Sequence, residues 1–272
     1  VKKSNLLHKI RNYGNVISNI RCHLEKYIAA HGIKTLVLGV SGGIDSALVA
    51  ALAAPIKSAE LVGISLPSGS NKIEEVERAS LICDCFCKAK KTVYIDPAHE
   101  ALMALAAKDN EDTVGRIASG NIKARTRMIL LYDIAQRTRG MVLGTDNLTE
   151  YLLGFWTLHG DVGDYSPIQF LWKSEVYEMT RYLIEKECGT TERAAALTAC
   201  VDAVPTDGLG ITNSDLDQLG AGCYEEVDKI LKAHVSDKCP KKMMDHPIMK
   251  RHVRSEFKRN NPLNISRAIL LK

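Results

Sequence analysis

The chain has 272 residues, 46% apolar and 25% charged, the balance of a soluble globular protein and enough for one large α/β domain or one with a helical appendage. A formal net charge of +4 suits a small anionic substrate and is too weak to argue for a nucleic-acid partner. No apolar run approaches the ~18 residues of a transmembrane helix, and Lys9, Arg11 and Asn12 interrupt any signal-peptide core, so the expected location is the cytoplasm, with eight reduced cysteines.

From Asn5 to His31, apolar residues recur at three- and four-residue steps and Gly32 ends the run, which predicts one long amphipathic helix. It stands before the first strand, and either covers a sheet face or packs on a second subunit. Leu36 to Gly39 reads as a strand and Ala47 to Ala54 as a helix. Between them runs the small-residue loop Val40-Ser41-Gly42-Gly43-Ile44-Asp45-Ser46. A strand, a tight turn and a helix N-terminus together direct backbone N–H groups and the positive end of a helix dipole at an anion, most often phosphate. Asp45 would repel such an anion unless a cation lay between them, which suggests Mg²⁺. No lysine follows Gly43, so the loop is not a Walker loop, and it lacks the glycine spacing of a dinucleotide fingerprint.

Strands are expected at 61–66, 92–95 and 141–143, with helices at about 71–90, from 96, at 115–139 and over a stretch with Lys173 in its first turn. Strands alternating with helices imply a doubly wound parallel sheet flanked by helices, with ligands at the carboxyl ends of the strands. Thr145 and Glu150 follow the fourth strand, which puts them in reach of Asp45. Glu150 alone would be an ordinary acid in a helix's first turn. Lys173 sits unfavourably in a helix's first turn, where it either neutralises phosphate or is merely solvated. Arg125 and Arg127 are candidates for binding carboxylate or phosphate, and one of them would serve equally well as part of a basic helix face. The stretch 188–213 has weak periodicity and is either a lid or a long loop. A helix is expected over 215–233, and 250–258 is basic. Cys83, Cys85 and Cys87 lack zinc spacing and read as structural thiols.

The Ser-Gly-Gly-Ile-Asp-Ser loop at 41–46 resembles the pyrophosphate loop of the ATP pyrophosphatases. Together with Gly120 to Met128, Gly144-Thr145-Asp146-Asn147…Glu150, Gly154-Phe155, the Gly160 to Pro167 loop and Val204 to Leu209, it resembles NAD synthetase over residues 5–262. That likeness implies a Rossmann-like single domain over 1–272, made of an N-terminal helix (1–34), an ATP-binding core (35–187) and a lid and helical part (188–272). It implies amidation of deamido-NAD by ammonia through an acyl adenylate, with ATP as co-substrate, Mg²⁺ as cofactor and a homodimer as the assembly. No nucleic acid or membrane partner is expected.

By matching position, Gly39, Val40, Ser41, Gly42, Gly43, Ile44, Asp45 and Ser46 would hold the ATP phosphates. Thr145, Lys173 and Thr206 would contact ATP, while Asp45 and Glu150 would bind the metal. Arg125, Asp164 and Lys258 would contact deamido-NAD, with Asp164 and Lys173 the catalytic candidates. Asp164 is expected to strip water or a proton from incoming ammonium. Leu158, Val162 and Phe257 depart from the family's pattern. The chain length leaves no room for a glutaminase domain before Leu36, which points to free ammonia as the donor. The rivals are another ATP pyrophosphatase, acting on a GMP precursor or a tRNA, and a nucleotide-binding protein without catalysis.

Overall fold

The computed structural model describes residues 3–106, 113–161, 163–189, 191–204 and 215–271. A short 3-10 helix, Lys3–Leu7, precedes α1, Tyr13–His31, so the single helix expected from Asn5 is in two pieces. The break comes at Asn12, whose side chain accepts the Asn15 amide as an N-cap, and Gly32 closes α1 in the left-handed conformation.

Four parallel strands follow in the spatial order β3-β2-β1-β4: β1 Thr35–Gly39, β2 Glu60–Ser65, β3 Ala89–Thr92 and β4 Gly140–Leu143. They alternate with α2 Ile44–Ala53, α3 Ile73–Phe86, α4 Asp96–Leu105 and α5 Thr113–Thr138. After β4 come α6 Leu148–Leu153, α7 Lys173–Lys186, α8 Thr191–Val201, α9 Asp215–Leu219 and α10 Tyr224–Val235. The chain closes with α11 Pro247–Arg254, α12 Glu256–Arg259 and α13 Arg267–Leu270. No helix among the described residues is long and apolar enough to cross a membrane.

Three expectations are corrected. β3 lies three residues earlier than the apolar run at 92–95 suggested. α3 ends at Phe86, and Lys88 donates its amide to the Leu61 carbonyl, which sets the register Val62↔Ala89. β3 is an exposed edge strand carrying Lys90 and Lys91, so no hydrophobic pattern marks it. In the stretch 188–213, residues 191–201 form a helix that buries only Ala196, Leu197 and Cys200, too few for a periodic signal. The rest of that stretch, from 205, lies outside the described residues. The helix expected over 215–233 is split near Gly220, which adopts φ +60.

β1 is buried on both faces. On one side, Leu36 and Leu38 pack with α1, α2, α3, α7 and α8. On the other, Val37 joins Ile64, Val142 and Ala135 of α5. A third cluster joins Leu148 and Leu152 of α6 and Trp172 to α10 and α11. Ile17, Leu24 and Ile28 spend the apolar stripe of α1 in the first cluster, at ~1.5–3 kcal/mol for each buried side chain. α1 therefore covers the core with this stripe. The chain winds from β1 outward to β3, then returns to place β4 on the other side of β1. That reversal opens a crevice beyond the carboxyl ends of β1 and β4.

Candidate active site

The crevice is a cavity of about 480 Å³. Its floor is the turn from β1 into α2. Inside the turn, Ser46 Oγ donates to the Gly43 carbonyl (3.1 Å) and accepts the Ser41 amide (3.2 Å), while Ser41 Oγ accepts the Gly43 amide (3.2 Å). Two amides expected to point outward are thus spent on shaping the turn. Gly42 sits at φ +82, against the Glu75 carbonyl of α3, where a Cβ would collide. Gly39, Val40, Ser41, Gly43, Ile44 and Asp45 line the cavity. Gly42 and Ser46 stand behind it; Ser46 is buried, and its hydroxyl belongs to the scaffold. The Gly42 carbonyl accepts from Arg78 Nε (3.0 Å) and, from α8, the Cys200 thiol.

Asp45, in the first turn of α2, accepts Asn147 Nδ2 at 2.8 Å. Asn147 also caps α6 by accepting the Glu150 amide at 3.0 Å, so one side chain ties the turn after β1 to the helix after β4. Lys173, the first residue of α7, reaches in from behind with a side chain 4% exposed. Its ammonium donates to Asp45 Oδ2 and, at 2.8 Å, to Glu150 Oε1. Burial lowers the pKa of this lysine, but the two carboxylates outweigh it and hold the pKa well above the ordinary lysine value. Burial and the charge of Asp45 push the Glu150 carboxyl up to about 7.

No motif or spacing in the chain marks what fixes Lys173 in place. Its amide donates to Thr149 Oγ (2.9 Å), and Thr149 donates to Asp228 of α10 (2.5 Å). The other oxygen of Asp228 accepts the Ser174 amide at 2.9 Å. Asp228 is therefore a buried cap on α7, reached across from another helix.

The remaining candidates divide. Thr145 and Lys258 line the cavity. Arg125 does not: it is exposed on α5 and donates Nε to the Leu158 carbonyl at 3.2 Å. Arg127, two residues on and so on another helical face, lines the cavity and donates to the Leu66 carbonyl at 2.9 Å. Asp164 also stands outside: its carboxylate accepts the Val142 amide of β4 at 2.8 Å and pins the loop to the sheet. Its place in the cavity is taken by Asp161, which accepts the Thr157 amide at 2.6 Å, and by Asp146. Asp161 has an open edge, but the protein packed around its carboxyl removes enough water to raise its pKa. Burial, then the charges of Glu150, Asp161 and Asp45, raise Asp146 well above the carboxylate range. Thr206 and Val162 lie outside the described residues. Phe257 is exposed and is not among the residues that line the cavity.

Lys258 does not reach into open space. It donates to the Gly154 carbonyl (2.7 Å) and to that of Trp156. Arg251 Nε donates to the Leu153 carbonyl (3.2 Å), Arg259 to that of Leu152 (2.7 Å), and His252 Nδ1 lies 2.7 Å from the Leu152 carbonyl. Cations from α11 and α12 thus cap the carbonyl end of α6, the helix that carries Glu150. Burial lowers the His252 pKa. Stability from a base held neutral is full above the unfolded value of about 6.5 and falls as acid protonates the unfolded chain first. Thermal melts should show the wild-type Tm dropping below that pH more steeply than in His252→Gln; equal slopes would contradict this.

Two carboxylates within reach of one cation are hard oxygen donors suited to magnesium, which completes its octahedron with water and phosphate oxygens. Among the described residues no third acidic, cysteine or histidine side chain joins them as a metal ligand. Asp45 and Glu150 are the side chains that would hold such a metal.

Comparisons with known proteins bear on the family and the fold. A family model described as NAD synthase matches residues 16–262. The NH(3)-dependent NAD(+) synthetase of Thermoplasma acidophilum is 34% identical, over 94% of this chain and 99% of that protein. The protein of the same name from Methanosarcina mazei is 35% identical, over 85% and 90%. Among solved structures, NMN synthetase from Francisella tularensis superposes with a TM-score of 0.79 at 27% identity, covering 94% of this chain and 100% of that one. NAD+ synthetase from Burkholderia pseudomallei gives 0.69 at 26%, covering 96% of each.

Proposed function

The chain belongs to the NAD synthase family, and from that premise we propose how its cavity works. The protein is an ammonia-dependent NAD synthetase: it uses ATP to amidate the nicotinate carboxylate of deamido-NAD, releasing NAD, AMP and pyrophosphate. One observation carries the reading. A single ammonium joins Asp45 and Glu150 at the switch point of the sheet, beside a loop shaped for phosphate.

Ammonia does not displace oxide from a free carboxylate, because oxide is a very poor leaving group. Adenylation removes that obstacle. The carboxylate oxygen attacks the α-phosphorus, and the bond to the bridging oxygen breaks. Pyrophosphate departs against the Ser41–Asp45 turn and the α2 N-terminus. Lys173 offsets the charge gathering on the leaving phosphates. Asp45 and Glu150 would hold Mg²⁺, which when bound supplies Lewis-acid polarisation of the phosphates. Thr145 contacts the nucleotide from the end of β4. Arg127, which lines the cavity, pairs with an anion there in the role expected of Arg125. Ammonia then attacks the acyl carbon, and AMP leaves. Asp161, with Asp146 beside it, draws ammonium in and takes its proton, the task expected of Asp164. Lys258 positions the 154–156 turn through its carbonyl contacts.

The homodimer is part of this reading. α4 and the first turns of α5 expose Leu102, Leu105, Val114 and Ile117, and Ile117 also borders the cavity. A solution mass twice that of one chain supports a dimer; a monomer at micromolar concentration speaks against it.

The reading is tested by pyrophosphate release from ATP. Deamido-NAD alone should give one equivalent per site, and sustained release should need ammonia as well. Release indifferent to deamido-NAD, or driven by a GMP precursor or tRNA, would overturn it. A second reading, amidation of nicotinate mononucleotide, is favoured by the close superposition on the Francisella tularensis NMN synthetase. The ratio of kcat/KM for the two acids decides between them.

A further inference from the structure

Lys173 stands where the metal would have to go. Its ammonium lies between the carboxylates of Asp45 and Glu150, and its side chain is almost wholly buried. The helix dipole gives a cation at this position no support, since Lys173 is the first residue of α7. The two carboxylates favour it, as does the Tyr224 ring at 5.3 Å to the centroid. A divalent ion bound to the same oxygens would face an ammonium inside one contact shell. Moving Lys173 aside in the empty enzyme would cost its buried charge both of its close carboxylate partners. The triphosphate changes that balance, because it brings anionic oxygens to the cavity that Lys173 and Asp45 share. A lysine on a four-carbon stem can follow them without moving its backbone, which is fixed by Thr149 and Asp228.

We infer that Lys173 is an internal cation that holds Asp45 and Glu150 in the nucleotide-free enzyme and gives them up to a divalent ion only when the triphosphate takes over its ammonium. Lys173 thereby makes metal binding conditional on ATP, so that metal and nucleotide enter as one unit. This rests on the reading of the cavity given above, but its test needs no turnover, so the two can fail separately.

The test is Mn²⁺ binding to the full chain, followed by electron paramagnetic resonance without nucleotide. Lys173→Met removes the resident cation and keeps the apolar stem. It should bind Mn²⁺ at least roughly tenfold more tightly than wild type, and Mn²⁺ should raise its Tm. Equal or weaker binding by the variant overturns the inference. A second measurement uses wild-type protein and does not depend on the variant folding. With ¹⁵N-labelled lysine side chains, the protected Lys173 ammonium signal should stay unmoved when Mg²⁺ alone is added. It should shift when a non-hydrolysable ATP analogue accompanies the metal. A shift with Mg²⁺ alone overturns the inference.

Discussion

Asp45→Asn should lower the rate of NAD formation on the order of a thousandfold while leaving the fold intact. Asparagine has the shape of aspartate and can still accept the Asn147 amide. It lacks the charge that Lys173 answers and that a metal would need. Both losses bear on the phosphates as pyrophosphate leaves, so kcat should fall more than KM for ATP rises. Steady-state kinetics at saturating Mg²⁺ and ATP measure this directly. A variant within about tenfold of wild type would remove Asp45 from the chemistry.

The second large effect separates two aspartates three residues apart. Asp161→Asn should cost about 10²–10⁴ in rate, the usual worth of a positioned base. The loss should shrink as pH rises and free ammonia replaces ammonium. Asp164→Ala should act elsewhere: it strands the buried Val142 amide and costs about 1–3 kcal/mol in stability. Its kcat should stay close to that of wild type. Parallel rate profiles and melts for the two variants check this. A rate collapse in Asp164→Ala without a matching loss of stability would return the proton-transfer role to that residue.

The contrast shows what the sequence could and could not tell. The loop from Val40 to Ser46 is contiguous, and strand, turn and helix fix its geometry locally, so its place in the site was legible. Asp45, Glu150 and Lys173 lie far apart in the chain. They meet because a parallel sheet delivers its carboxyl ends to one edge; the alternation of elements forecast that for Asp45 and Glu150, while only the family resemblance pointed Lys173 to the same place. Choices that depend on one or two residues of phase were not legible. Arg125 and Arg127 sit about 200° apart around one helix, and only the seat of α5 on β1 and β4 decides which faces inward. Asp161 and Asp164 share an irregular loop with no period to orient them. Asp228 falls within the helix expected over 215–233, and nothing in its spacing singles it out. Its role appears only when α10 meets the start of α7. α8 escaped because alanine and threonine give little amphipathic contrast, although its few apolar residues reach the core.

The acyl adenylate is the centre of the account, and an isotope traces it most directly. Deamido-NAD labelled with ¹⁸O in its carboxylate should pass one labelled oxygen to AMP in each turnover, because the attacking oxygen stays on phosphorus when ammonia expels AMP. Mass spectrometry of the AMP formed reads the transfer. One ¹⁸O per AMP is the predicted result. Unlabelled AMP, with NAD still being formed, would contradict it.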